Sequence, residues 1–294
     1  MTHSAFVRYV AERLSALYPV EEGRAAGLRL LDDVGGIDSK GYAMLCDSEL
    51  DPQLFARLDE CVTQMCEGKP LQYVTGFEWF HGHRFEVEPG VLIPRPESEE
   101  LVEWAAQWVE SSGIEEPVIL DAACGSGALG VALALMKKGT TVLSCDISPK
   151  ALEITAKNAG KLGVANNGSS VTTFECDILN SSSGKRYLTG DRFDAVISNP
   201  PYVCESEKVF MRPNVVMYEP YEAIFVPDAD PLLFYRSITD ISAYVLKAGG
   251  ALFFEINEMF GADVVKLMKN RGFADVEIRV DFRGKERMVK GYKK

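Results

Sequence analysis

From Pro117 onward, short apolar runs alternate with helical stretches, and this alternation restricts the fold more than any other feature of the chain. Residues 118–120, 141–145, 171–175, 193–198 and 250–255 read as strands, and residues 127–138 and 149–161 as helices between them. Strands separated by helices pair in parallel, because a parallel neighbour needs a long crossover. Two later runs, 276–282 and 287–292, are separated only by Arg283-Gly284-Lys285 and read as an antiparallel pair that closes the sheet. The expected fold is therefore α/β: a doubly wound, mainly parallel, seven-stranded sheet.

Upstream the periodicity is different. From Ser4 to about Tyr73, apolar residues recur at helical spacing (Phe6, Val10, Leu14; Leu54, Leu58, Val62, Met65). Asp51-Pro52 reads as an N-cap followed by proline at the first helical position. Next come Trp79-Phe80 and Phe85-Glu86-Val87, two short strands around His81-Gly82-His83, where the glycine favours a tight turn over a metal site. The expected division is a small N-terminal helical domain (1–75), a β-hairpin linker (76–96) and a sheet domain (97–294). Ser98, before a run of acidic and apolar residues, reads as the cap of a new helix.

Composition narrows the chemistry. A formal charge of −12 over 294 residues argues against a broad basic surface for nucleic acid, and basic residues gather only near the C-terminus, where a solvated hairpin is the plain reading. Seven cysteines without a CxxC pair, and only three histidines, predict buried thiols rather than disulfides or a metal centre. No apolar run approaches the roughly 18 residues that span a bilayer. The N-terminus lacks a basic region followed by an apolar one, so no membrane role and a cytoplasmic location are expected.

Two loops carry the candidate chemistry. Asp121-Ala122-Ala123-Cys124-Gly125-Ser126-Gly127 lies where the first strand turns into the first helix, the usual ligand crevice of such sheets. Asp146 ends the second strand about 25 residues later, where a carboxylate can accept from ribose hydroxyls, and Asp177 ends the third. The first glycine of a dinucleotide fingerprint is missing, and an acid opening the loop suits a cationic ligand better than a phosphate. S-adenosylmethionine supplies a sulfonium and an ammonium together. The predicted cofactor contacts are Asp121 to Gly127, Asp146, Ile147, Asp177, Ile178 and Asn199. The second loop, Asn199-Pro200-Pro201-Tyr202, follows a buried strand; its prolines stiffen the backbone and remove donors, leaving acceptor oxygens beside an aromatic ring. That combination suits a planar group bearing an NH2.

With these loops, Pro70-Leu71-Gln72-Tyr73-Val74-Thr75-Gly76, Leu92-Ile93-Pro94-Arg95-Pro96-Glu97-Ser98-Glu99, Tyr218-Glu219-Pro220 and Asp281-Phe282-Arg283-Gly284-Lys285-Glu286-Arg287, the chain resembles the PrmC/HemK family, the glutamine methyltransferases that modify peptide-chain release factors. The resemblance implies S-adenosylmethionine as cofactor, S-adenosylhomocysteine as product and a release factor as protein partner; a monomer is favoured, although the sequence does not fix the oligomeric state. It also implies that the Asn199 side-chain oxygen and the Pro200 carbonyl accept from the substrate amide, with Tyr202 against the amide plane and Pro201 stiffening the loop. The rival readings are a ribosomal-protein glutamine methyltransferase, an adenine-N(6) nucleic-acid methyltransferase with the same loop, and a cofactor-binding module without catalysis. Three positions depart from the family pattern: Ala123 stands for a glycine, Asn257 for the glycine of Glu-Ile-Gly, and Phe260 where a glutamine is common.

Overall fold

A computed structural model describes residues 1–294, apart from the side chain of Ser181. The chain forms two compact units, residues 1–77 with 212–218, and residues 78–211 with 219–294.

The first unit holds α1 (His3–Arg13), α2 (Val20–Asp33), α3 (Ser39–Leu45), α4 (Pro52–Cys66) and α5 (Leu71–Thr75). The residues at helical spacing meet in one core, with Phe6, Val10, Leu14, Leu30, Leu31, Leu58 and Val62 fully buried. Each such side chain contributes about 1.5–3 kcal/mol on leaving water. Asp51 caps α4 as its sequence predicts, accepting from the Gln53 and Leu54 amides at 2.9 and 3.0 Å, with Pro52 at the first position. Residues 212–218 join this unit through Arg212, whose guanidinium donates to Glu22 at 2.7 Å, and through the Tyr218 hydroxyl, which donates to the Glu67 carbonyl at 2.8 Å.

In chain order the second unit begins with a two-stranded sheet of β1 (Phe77–Phe80) and β2 (His83–Glu86); the boundary with the first unit falls inside β1. His81 and Gly82 both take positive φ, 51° and 73°, the geometry of a two-residue hairpin turn. Then follow α6 (Glu97–Ser112), β3 (Val118–Ala122), α7 (Ala128–Met136), β4 (Thr141–Asp146), α8 (Pro149–Lys161), β5 (Ser170–Glu175) and β6 (Phe193–Ser198). After β7 (Val203–Cys204), α9 (Pro213–Tyr218) belongs to the first unit; β8 (Phe225–Val226), α10 (Leu233–Val245), β9 (Leu246–Glu255), α11 (Gly261–Asn270), β10 (Phe273–Val280) and β11 (Glu286–Lys293) complete the chain.

The main sheet has seven strands in the order β10-β11-β9-β6-β3-β4-β5. The run from β9 to β5 is parallel and β11 is antiparallel to both its neighbours. Every residue of β6 is buried. Ala195 and Ile197 pack on one face with α6 and α7, while Val196 packs on the other with Tyr235 and Ile238 of α10 and Met268 of α11. A strand covered on both faces needs a continuous apolar run, which is why this one stands out in the sequence.

Four expectations change. Ser98 is not a cap: α6 starts at Glu97 behind Pro96, and Ser98 lies buried in its first turn, where Glu97, Glu99 and Glu100 complement the helix dipole. The strand before Asp177 ends at Glu175, so Asp177 lies beyond it. The basic C-terminal residues are not uniformly solvated, since Lys290 sits buried against Trp104 and Tyr292, and Arg287 is half-buried against Asp281. Cys61 and Cys66 are half-buried rather than buried, although all seven thiols are free. Among the described residues, no helix is long and apolar enough to cross a membrane and no group of side chains could hold a metal ion.

Candidate active site

Because β3, β4 and β6 run parallel, their C-terminal ends open at one edge of the sheet. Ala122 lies level with Cys145 on one side and Ser198 on the other, and the Ser198 hydroxyl ties β6 to β3 by donating to the Ala122 carbonyl at 2.6 Å. The loop after β3, Asp146 and Asn199 therefore converge. This is also where the connections diverge to either side of β3, the switch point at which open α/β sheets bind ligands.

The loop after β3 is held by its own backbone. The Cys124 amide donates to the Cys145 carbonyl at 2.9 Å and the Gly127 amide to the Cys124 carbonyl at 2.8 Å. Gly127 has φ 78°, and a Cβ there would lie 2.7 Å from Thr155 Cγ2, so only glycine fits. Ala123 also takes a left-handed φ, 57°. An L-residue pays about 1–2 kcal/mol for that conformation. A glycine there would not, which gives a first prediction: Ala123→Gly raises the thermal midpoint by a few degrees, roughly the shift of a 1 kcal/mol gain. An unchanged or lower midpoint in a thermal melt would count against strain at Ala123.

Asp121 is fully buried. Its Oδ2 accepts from the Gly130 amide at 3.1 Å, while Oδ1 has no hydrogen-bond partner among the described residues; the Ser144 hydroxyl, across the ladder, acts on the carboxyl electrostatically. Burial pushes its pKa up to about 7, with the Asp146 charge adding to the shift. Asp146 is raised too, by burial, although its oxygens accept from the Gly125 and Ser148 amides, each at 2.9 Å. Each of those oxygens keeps a free lone pair.

A cavity of about 500 Å³ lies at this edge. Of the predicted residues, Ala123, Cys124, Gly125, Ser126, Asp146, Ile147, Asp177, Ile178, Asn199 and Pro201 line it. Asp121, Ala122, Gly127, Pro200 and Tyr202 do not; the first three support the loop from behind. The Tyr202 hydroxyl is turned to the sheet, donating to Glu255 Oε1 at 2.9 Å, and burial holds its pKa well above the ordinary phenol.

Several wall and support residues lie outside the predicted contacts. Arg95, Leu129 and Phe234 line the cavity. Glu219, buried, accepts from Arg95 Nη2 at 2.6 Å and from the Ile93 amide at 3.0 Å, joining the Pro94-Arg95-Pro96 and Tyr218-Glu219-Pro220 motifs across more than 120 residues. Asn158, fully buried, donates to the Ser126 carbonyl at 2.9 Å and accepts from the Glu86 amide at 2.7 Å, tying the hairpin to the loop. Glu255, also buried, takes the hydroxyl protons of Ser98 and Tyr202. Asn257 donates to the Tyr202 carbonyl at 3.2 Å and to Glu207 at 2.9 Å, so the departure from Glu-Ile-Gly adds a side-chain tie to the Asn199–Tyr202 loop. Phe260 stands at the start of α11. One hint was available: a carboxylate ending the apolar run Ala251-Leu252-Phe253-Phe254 needs a partner wherever it is buried.

A mainly parallel seven-stranded sheet with a glycine loop after its first strand, acids after the next two and Asn-Pro-Pro-Tyr after the fourth defines the nucleoside-cofactor methyltransferase class. Residues 107–215 match the family model described as the methyltransferase small domain, and residues 6–76 that of the PrmC N-terminal domain. The chain is 35% identical over 281 residues to the release factor glutamine methyltransferase of Bacteroides thetaiotaomicron, covering 96% of each chain. It is 38% identical to that of Flavobacterium psychrophilum, covering 83% of this chain and 82% of the relative, and 34% identical to that of Bacillus subtilis, covering 96% of each. The chain belongs to the release factor glutamine methyltransferase family.

Proposed function

We propose that this protein transfers a methyl group from S-adenosylmethionine to the side-chain amide nitrogen of a glutamine, that of the Gly-Gly-Gln loop of a peptide-chain release factor. The observation that carries the reading is Asn199: it follows a wholly buried strand, lines the cavity, and leaves its Oδ1 unclaimed by any described residue while its Nδ2 donates to Ser98 at 3.2 Å.

The cavity fits the cofactor. Its volume falls within the roughly 300–1,000 Å³ of ligand pockets. Asp146 has acceptor capacity for ribose, with Asp177 nearby for adenine, Ile147, Ile178, Leu129 and Phe234 form apolar walls, and the Ala123–Ser126 backbone lies open to the cavity. Bound there, S-adenosylmethionine supplies an electrophilic methyl group and leaves as S-adenosylhomocysteine.

The protein's part is placement. An amide nitrogen is a weak nucleophile because its lone pair is shared with the carbonyl, so it has to be aimed. Asn199 Oδ1 and, once the acceptor has entered, the Pro200 carbonyl accept its two N–H protons; Pro201 keeps the loop stiff; Tyr202, which does not itself line the cavity, anchors the loop through Glu255. Orientation of this kind contributes on the order of 7–11 kcal/mol. No base is required before transfer; once the methyl group has bonded, the cationic nitrogen loses its extra proton readily, to water. The helical unit reads the body of the release factor, since three residues are too little to specify one protein. The reaction belongs to the cytoplasm, where release factors act.

The deciding experiment incubates the protein with methyl-labelled S-adenosylmethionine and either intact release factor, a release factor whose Gly-Gly-Gln glutamine is alanine, or duplex DNA. Label should enter the first alone. Label in DNA would favour an adenine methyltransferase, and equal label in both release factors would remove glutamine as the acceptor.

A further inference from the structure

We propose that Ser98 and Glu255 are positioning residues that decide which end of the Asn199 amide faces the acceptor; this rests on the proposed role of Asn199. A carboxamide has a donor end and an acceptor end of nearly equal size, so a half-turn about its last bond replaces the oxygen by NH2. At the cavity edge that replacement would set a donor against a donor. Something must tell the ends apart.

The sorting begins at Glu255. Its Oε2 accepts from the Ser98 hydroxyl and its Oε1 from the Tyr202 hydroxyl at 2.9 Å. An ionised carboxylate accepts only. Burial raises the Glu255 pKa above the ordinary carboxylate value, and the Ser98 and Tyr202 hydrogen bonds, with the charge of Arg287, whose Nη1 donates to the Ile256 carbonyl at 3.2 Å, oppose that rise and favour the ionised state. Ser98 has one proton, and it is committed to Glu255. Toward Asn199 the Ser98 oxygen can therefore act only as an acceptor, and it takes Nδ2 at 3.2 Å. Oδ1 is left for the cavity. The polarity of one buried carboxylate passes through a hydroxyl to the reacting edge, and the same carboxylate holds Tyr202, so both ends of the loop answer to it.

Ser98 lines the cavity, but its hydroxyl is engaged with Glu255 and Asn199, and neither it nor Glu255 is asked to touch the reacting atoms. Their removal should thus slow transfer without loosening the cofactor. The test compares wild type, Ser98→Ala, Asn199→Ala and the double variant, with circular dichroism as the fold check, calorimetry for S-adenosylmethionine and steady-state kinetics on intact release factor. Ser98→Ala should lower kcat on the order of three- to tenfold, the worth of one lost ordering hydrogen bond. KM and cofactor affinity should stay within about twofold. In the Asn199→Ala background the same change should do nothing further, because a residue that acts only through Asn199 has nothing left to act on. If Ser98→Ala does not fold, Glu255→Gln replaces it: a carboxamide there can donate to Ser98 and free its proton for Asn199, so kcat should again fall, and again only when Asn199 is present.

Wild-type kcat in Ser98→Ala alongside a slow Asn199→Ala would overturn the inference and leave the role of Asn199 standing. Wild-type kcat in Asn199→Ala would overturn both. A Ser98→Ala loss that repeats in full without Asn199, or that appears as weaker cofactor binding, would show that Ser98 acts by another route.

Discussion

Asn199→Ala should lower kcat for methylation of intact release factor by about two to three orders of magnitude, the range seen when a preorganised group facing developing charge is removed. Affinity for S-adenosylmethionine should change little. The reason lies in where charge appears: as the methyl group moves, the acceptor nitrogen becomes positive and its N–H groups become stronger donors. An oxygen already aimed at them gains strength during the reaction, which is the interaction that raises kcat rather than lowering KM. Asn199 sits at the end of the most buried strand of the sheet, so its backbone cannot drift to compensate. Turnover at the wild-type rate, with the variant folded, would remove Asn199 from the reaction.

Glu219→Ala acts on stability. Its carboxylate is almost wholly shielded and serves two donors, the Arg95 guanidinium and the Ile93 amide. Truncating one member of a buried pair typically costs about 3–5 kcal/mol. Arg95 is about one-third exposed and can rehydrate, which places the expected loss near 3 kcal/mol at the lower end. At roughly 2–4 °C per kcal/mol for a domain of this size, the thermal midpoint should fall by about 6–12 °C. Glu219→Gln, which keeps an acceptor for the Ile93 amide, should fall less. A midpoint for Glu219→Ala within a degree of wild type would mean that the Arg95 and Tyr218-Glu219-Pro220 segments are held by other contacts.

What could be read in advance follows a physical line. Strands buried on both faces must be apolar throughout, so β3, β4 and β6 were visible as runs, and the loops at their ends were visible as departures from them. Direction was not visible. Asp121 could be placed at a strand's end, but which face it takes depends on its neighbours in the ladder; it turns behind the loop, toward Gly130 and Ser144, instead of into the cavity. Ser98 reads as a cap because serine before glutamates usually is one, yet Pro96 shifts the helix start and its hydroxyl goes to Glu255, 157 residues away. Pairings of that separation leave no trace in a window of ten residues. The Glu219 contact shows the middle case, since both motifs were noticeable and their opposite charges were consistent with a pair, while nothing local said they meet.

The strand order has a consequence for synthesis. β11 is the last of the seven strands to be made and yet lies inside the sheet, between β9 and β10. While the chain is being translated, β9 therefore presents an open edge and β10 has no neighbour, and neither condition is relieved by anything made earlier. Unpaired edges of incomplete sheets are where nascent chains stick to one another. The β6-β3-β4-β5 half, by contrast, has all its strands once residue 198 has emerged. Assembly is thus expected in two stages, a cofactor-side half that can form early and an edge that stays unsealed until Glu286–Lys293 arrive to slot into place.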